Sequence, residues 1–581
     1  LKDTRDKLGL DISSTIFVQD PMVAKFDPDL GLQDVSVRWE PGLFEGPTSS
    51  QVAVVDYDGD LNSLYKPAVW NSEHWAFVAP NGQPLDKNNS NNFHFHQVNV
   101  WATIMKVIEF YEAPDALGRK VSWAFNGNRL IVIPHAGYGK NAFYDRGSKS
   151  LQFYYCGSEK QPVFTCLSHD IVAHETGHAI LDGIRPYYNE LSSFQTAAFH
   201  EFVADMTAIL TAFRNNDVRK VLEKATQGDL TKDKFISGVA EQFAKHVKNR
   251  EFLRTARNEV DMDEADIEHP PHFNSQILTG AMFDIMTHMA ANYLERRKKE
   301  EREKEEGEKE GKKIKPGAAL WYTISRFRRV ALQALDYCPP VDIQFKDYAN
   351  AVIRRDQLAN PDDPHRYREI MRTVFDERKI PHFIDEAEPD YSKFYCPNIA
   401  DVSDSAVSVY HMLHEWRKDL FIPEHQDILV LTPYKANKVR RLYQRRPTEI
   451  VLQYVWRENV ELIGTRYGPL QGRSVPLLCG GTLVYDENGN LLHWCRKPGT
   501  QFRFRKKNKR NKEKEEKELT DGIKRQKELL DYIAICVNKK NLRLRMGEKG
   551  GMDIWTPVDV FETDEGLKLV IAPRLHHGSE I

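Results

Sequence analysis

The tightest constraint in this chain is the stretch from Asp170 to Asp205. It contains His174-Glu175-Thr176-Gly177-His178 and, further on, Glu201-Phe202-Val203-Ala204-Asp205. Residues four apart on an α-helix lie nearly one above the other, so His174 and His178 present two imidazoles to one point. Glu175 falls just beside that face. Two nitrogen ligands and an adjacent carboxylate able to take a proton are what a zinc-activated water requires. A catalytic zinc usually takes a third protein ligand and keeps one position open. Glu201 is the candidate, on an apolar-periodic run (Phe199, Phe202, Val203, Met206, Ile209, Leu210) that reads as a packed helix. Asp205, one turn later, is placed to accept the outward N–H of a ligating histidine, which fixes its tautomer and raises its basicity. Singly, each residue has an ordinary reading as core or solvated helix face. As a set they point to a metal.

These segments resemble the thermolysin-like zinc peptidases of the gluzincin group, in which the H-E-x-x-H helix is followed by E-x-x-x-D. Asn141-Ala142-Phe143-Tyr144 is similar to the edge-strand segment that hydrogen-bonds the substrate backbone in that family. His272-Phe273-Asn274-Ser275 is similar to its H-x-N-S segment, whose histidine stabilises the oxyanion, and Leu253-Arg254 to the segment whose arginine holds the carbonyl beyond the scissile bond. The order of the segments along the chain agrees with the family. The resemblance runs roughly from Ala79 to Ile380 and leaves the last third without a counterpart.

The resemblance implies an α+β fold with a two-lobed catalytic unit: a β-rich N-terminal lobe over 1–165 and a helical lobe over 166–386. It implies one Zn2+ on His174, His178 and Glu201, with Glu175 as general base. His272 and a tyrosine, Tyr187 or Tyr188, would donate to the oxyanion, while Asn141, Ala142 and Arg254 would bind substrate. The substrate would be a peptide or protein, cut before a bulky apolar residue. The sequence also departs from the family. His200 stands where an asparagine usually supports the second zinc-binding histidine, and the link from His178 to Glu201 is longer. Asp170 matches a calcium-binding carboxylate, but its expected partner position holds Ala212, so no structural Ca2+ carries over. Asp266 is the favoured carboxylate to orient His272, with Glu264 and Glu268 as competitors.

At 581 residues the length allows three or four domains. A formal charge of −3 gives no general pull toward nucleic acid or membrane. No run approaches the roughly eighteen apolar residues of a membrane span. Seven widely spaced cysteines, without a C-x-x-C pair, argue against a disulfide framework and for a reducing, cytoplasmic location. The chain starts at Leu1, so an upstream signal or pro-segment, and hence secretion, stays open.

Along the chain, residues up to about 84 read as short strands and loops, and a helix is expected from Phe93 to Tyr111. His94 and His96 alternate as ligands on a strand face would, but no third ligand is evident and a structural role is preferred. Lys120–Phe125 and Arg129–Pro134 read as a hairpin about Asn126-Gly127. Helices then dominate to about Lys379, broken by the Lys/Glu-rich run 296–315, which cannot bury a face. After a linker near 387–400, residues 400–581 read as a separate α+β domain of unknown role. There, Ile450–Tyr454 and Val460–Thr465 are expected as two strands, and Glu516–Val537 as a helix. Phe502-Arg503-Phe504-Arg505-Lys506-Lys507 could stack bases and track phosphates, but it runs into Glu-rich sequence, so a solvated loop is preferred and nucleic acid is not the expected partner. The competing functional expectation is an inert peptidase-like scaffold acting through its C-terminal domain.

Overall fold

The computed structural model describes residues 10–26, 28–227, 230, 238–239, 254–306, 316–383, 390–441, 444–445, 447–504, 509–539, 542–545, 558–563 and 566–571. They form an α+β structure of small sheets and packed helices. Strands β1 (Asp11–Phe17) and β2 (Leu32–Arg38) pair antiparallel. The next sheet contains β3 (Val52–Val54), β4 (Leu130–Ile133), β5 (Ala142–Asp145) and β6 (Ser150–Phe153), in spatial order β3-β4-β6-β5. Helix α1 (Phe93–Glu112) crosses between β3 and β4, which is why those two strands run parallel. Strand β5 is left at the edge, antiparallel to β6.

The hairpin expected about Asn126-Gly127 does not form. β4 pairs in parallel with both β3 and β6, and residues 120–125 have no strand structure. An NG pair specifies a tight turn only when both flanking runs find each other, and here β4 is already flanked on both sides.

Helices α2 (His169–Ile184), α3 (Phe194–Ala212), α4 (Pro271–Glu306), α5 (Pro316–Gln333), α6 (Phe345–Ala359) and α7 (Tyr367–Glu377) follow. The solvated run expected over 296–315 is helical to Glu306, and 307–315 lie outside the described residues. Helix α2 is apolar on nearly every side (Ile171, Val172, Ala173, Ala179, Ile180, Leu181), so it sits inside the largest core, with α1 and α3 against it. Each of the Ile, Val and Leu side chains contributes about 1.5–3 kcal/mol on burial, and the alanines less. Gly177 sets the α2–α3 distance: a Cβ there would lie 2.8 Å from Thr207 Oγ1 and 3.0 Å from the Ala204 Cα. The missing side chain lets the two backbones approach.

In the last third come α8 (Ala406–Glu415), β7 (Leu429–Ala436), β8 (Glu449–Glu461), β9 (Ser474–Asp486), β10 (Leu491–Lys497) and α9 (Lys509–Asn538). A further sheet adds β11 (Leu542–Arg545), β12 (Val558–Thr563) and β13 (Gly566–Ile571). β7-β8-β9-β10 is an antiparallel sheet over a second core that includes Leu413, Leu452, Tyr454, Trp456, Leu483 and Ile533. The two strands expected at 450–454 and 460–465 are one strand, paired from Glu449↔Asp486 to Glu461↔Ser474. The polar residues that read as a break are used. Both Glu458 oxygens are occupied, Oε1 by Trp456 Nε1 at 3.3 Å and Oε2 by the Thr500 N–H and hydroxyl.

This second core is drawn mostly from residues after 400 but also takes in Leu191, Ala197 and Phe394, and a buried polar seam adds to the contact with the helices. Asp336 accepts from Arg119 (2.9 Å) and Tyr434 (2.9 Å) and pairs with Lys438 (2.7 Å), which reaches Glu449 at 2.9 Å. Burial alone would raise the Asp336 carboxyl; Lys438 and then Arg119 overcome it and hold the group well below the usual range. No helix among the described residues is long and apolar enough to cross a membrane.

Candidate metal centre

His174, His178 and Glu201 converge, with one ligand atom from each within 4.8 Å of the others. The Nε2 atoms of the two histidines lie 3.2 Å apart. Glu201 Oε2 is 3.4 Å from His174 Nε2, and Oε1 is 3.6 Å from His178 Nε2. All three side chains are buried. Electron-rich atoms packed this way repel one another unless a cation lies between them. A tetrahedral centre with zinc–ligand bonds of about 2.0–2.1 Å has ligand–ligand edges of about 3.3 Å, which matches these separations. The residues therefore fit a zinc-class ion.

The local sequence explains the convergence. The i, i+4 histidines share one face of α2, and Gly177 admits α3 closely enough for Glu201 to reach them. Asp205, one turn along α3, lies 2.9 Å from Nδ1 of His174, so that nitrogen carries the proton and Nε2 faces inward as a lone pair. His200 lies with its ring stacked on His178, centroids 5.8 Å apart. Burial and then the neighbouring His178 push it down to about 3, so it sits there neutral.

The general-base candidate, Glu175, accepts the backbone N–H of Tyr144 at 3.1 Å, which joins α2 to the edge strand β5. Since Tyr144 N points off the sheet, so do the N–H and C=O of Ala142 two residues earlier. The Ala142 N–H is met by Oδ1 of Asn141 at 2.9 Å, and the Asn141 carbonyl accepts from Tyr154 N at 3.1 Å. β5 is also fastened two turns further along α2. Tyr144 Oη donates to Asp182 at 2.8 Å, and Arg146 Nε does so at 2.7 Å. Asp182 was not among the residues singled out from the sequence. It continues the 174–178 register by four, and that spacing was the available signal.

At the start of α4, His272 brings Nδ1 to 2.7 Å from Glu201 Oε2, and at 13% exposure it is the most open side chain of the group. Asp266 is not the carboxylate on that ring. Its Oδ1 accepts the Glu268 N–H at 2.8 Å and its backbone N–H meets Asn274 Oδ1 at 3.2 Å, so it shapes the turn before α4.

One of the two tyrosine alternatives needs correction. Tyr188 cannot serve an oxyanion: its hydroxyl donates to the Pro339 carbonyl at 2.6 Å inside the core, with its ring edge-on to Phe199. Tyr187 is half-buried with its side chain on Arg457 of the C-terminal region. Arg254 pairs with Val239 through its backbone, and its side chain lies outside the described residues. The basic-aromatic stretch presents no rings for stacking on bases: Phe502 and Phe504 are buried against Phe421. His94 and His96 occupy the first turn of α1, the helix expected from Phe93. His96 nevertheless belongs to a second group able to hold a metal, with His135 and Cys166.

No protein-family model and no curated protein matches this chain.

Proposed function

We propose that the chain is a thermolysin-like, zinc-dependent endopeptidase, the strand-rich residues up to 165 and the helices of 166–386 forming the two sides of its catalytic unit. The observation that carries this reading is the pairing of the His174/His178/Glu201 cluster with an edge strand hydrogen-bonded to Glu175. A metal cluster alone suits many hydrolases; an edge strand beside it suits substrates recognised by their backbone.

A zinc ion on these ligands supplies Lewis acidity, acidifying a water and polarising a carbonyl oxygen. The outward edge of β5, with the Ala142 carbonyl, aligns an extended peptide as an added strand. Glu175, anchored by the Tyr144 N–H, takes the water's proton and delivers it to the leaving amine nitrogen. His272, at the rim beside Glu201, donates to the oxygen that becomes negative as the carbonyl is attacked. Asp205 keeps His174 in the tautomer that binds metal.

The test is to sequence the products from an unbiased peptide mixture, with and without chelator. Chelator-sensitive cuts whose new N-termini are enriched in bulky apolar residues are expected. Bound zinc without any cleavage would favour the inert-scaffold reading instead.

A further inference from the structure

We propose that His96, His135 and Cys166 form a second metal centre, for one zinc-class divalent ion. It does not depend on the peptidase reading. One ligand atom from each residue lies within 4.8 Å of the others, and all three side chains are buried.

The hydrogen bonds around the two rings argue for an ion rather than ordinary packing. His96 Nε2 meets the Ser90 carbonyl at 3.1 Å, and a carbonyl only accepts, so that nitrogen carries the proton. His135 Nδ1 meets Asp56 Oδ1 at 2.8 Å, which draws that ring's proton outward too. The other Asp56 oxygen accepts from Gln97 Nε2 at 2.7 Å, so the carboxylate is fixed in place. Both neutral rings then aim lone pairs at each other, His96 Nδ1 to His135 Nε2, across 2.9 Å. A cation bound to both nitrogens resolves that opposition. A carboxylate or carbonyl on the outer nitrogen of a ligating histidine is the usual support in metal sites.

The third donor decides the class of ion. Imidazole plus thiolate suits zinc and its borderline-soft neighbours, not magnesium or calcium. The surroundings are aromatic: Phe93 stacks on His135 at 4.3 Å between centroids, and Phe164 lies 4.7 Å from His96. Such a shell excludes water and strengthens ligation.

The ligands come from three separate segments: the first turn of α1, the loop after β4, and the turn just before α2. An ion there clamps the sheet that carries β5 to the helix that carries His174. Its role is structural.

The full-length protein is loaded with Co2+ as the only metal. A thiolate bound to Co2+ gives a strong near-ultraviolet charge-transfer band, and the His174/His178/Glu201 cluster contains no sulfur. Two ions per chain and that band are expected. The band persists in a His174→Ala/His178→Ala variant, while Cys166→Ser loses the band and one of the two ions. No band in the wild type, or a band that survives Cys166→Ser, overturns the proposal. A bandless wild type means that a proton bridges the two facing nitrogens in place of an ion. Should Cys166→Ser fail to fold, the wild type and the double histidine variant still decide the matter.

Discussion

The two clusters are built from similar donors and were differently visible. The His174/His178/Glu201 group lies on two helices in direct contact, so an i, i+4 pair and one apolar helix announce it. The His96/His135/Cys166 group draws each donor from a different segment, and only the folded chain gathers them. Its one sequence hint was His94 with His96, weighed by strand alternation although both fall inside the helix expected from Phe93. Two positions apart there point to different faces, and only His96 turns inward. Ligands that share an element can be read in advance, and ligands that share only a cavity cannot.

That contrast can be tested by taking the centres apart one at a time. The largest effect is expected from His178→Ala, which should abolish peptide cleavage and remove one ion while leaving the other bound, as metal analysis would show. Loss of both ions together would mean the centres are not independent. Next come the supporting carboxylates. Asp205→Asn should weaken metal binding at the first centre, and Asp56→Asn at the second, each by about 10–100-fold and each leaving the other centre unchanged in competition titrations against a chelator. Then Gly177→Ala should cost about 1–3 kcal/mol in denaturant unfolding, because a Cβ must fit against Ala204 and Thr207. It should loosen metal at the first centre alone.

The smallest effect concerns a buried histidine that belongs to neither cluster. His493 Nε2 donates to the Tyr337 carbonyl at 2.9 Å, and burial, then Arg354, pushes it down to about 4. Its folded value lies below the unfolded one of about 6.5, so between these the unfolded chain takes a proton that the folded chain refuses. Stability should therefore fall as pH falls, by about 1–2 kcal/mol between pH 6.5 and 5. A His493→Gln variant should show less of this slope in unfolding curves recorded across that range.

Much of the fold was legible where periodicity is strong. The α+β class, the helix from Phe93 and the helices around the H-E-x-x-H motif all follow from local pattern. What escaped depends on distant partners. The parallel pairing of β4 is set by α1 passing over the sheet, and the unbroken strand Glu449–Glu461 by the thirteen-residue run of β9 beside it. The seam through Asp336, Lys438 and Glu449 joins residues about a hundred apart, and nothing local marks it. At the candidate site, the donors and Glu175 were readable from spacing. The choice between the tyrosines was not, because Tyr188 is claimed by the Pro339 carbonyl, far outside its own segment, which leaves Tyr187 as the alternative.

The most direct measurement is cleavage of an unstructured protein substrate by Glu175→Gln, read together with its metal content. With Glu175 as the proton carrier and not a ligand, turnover should drop on the order of 10²–10⁴-fold while bound metal stays at the wild-type level. Cleavage at the wild-type rate with that metal content would contradict the account.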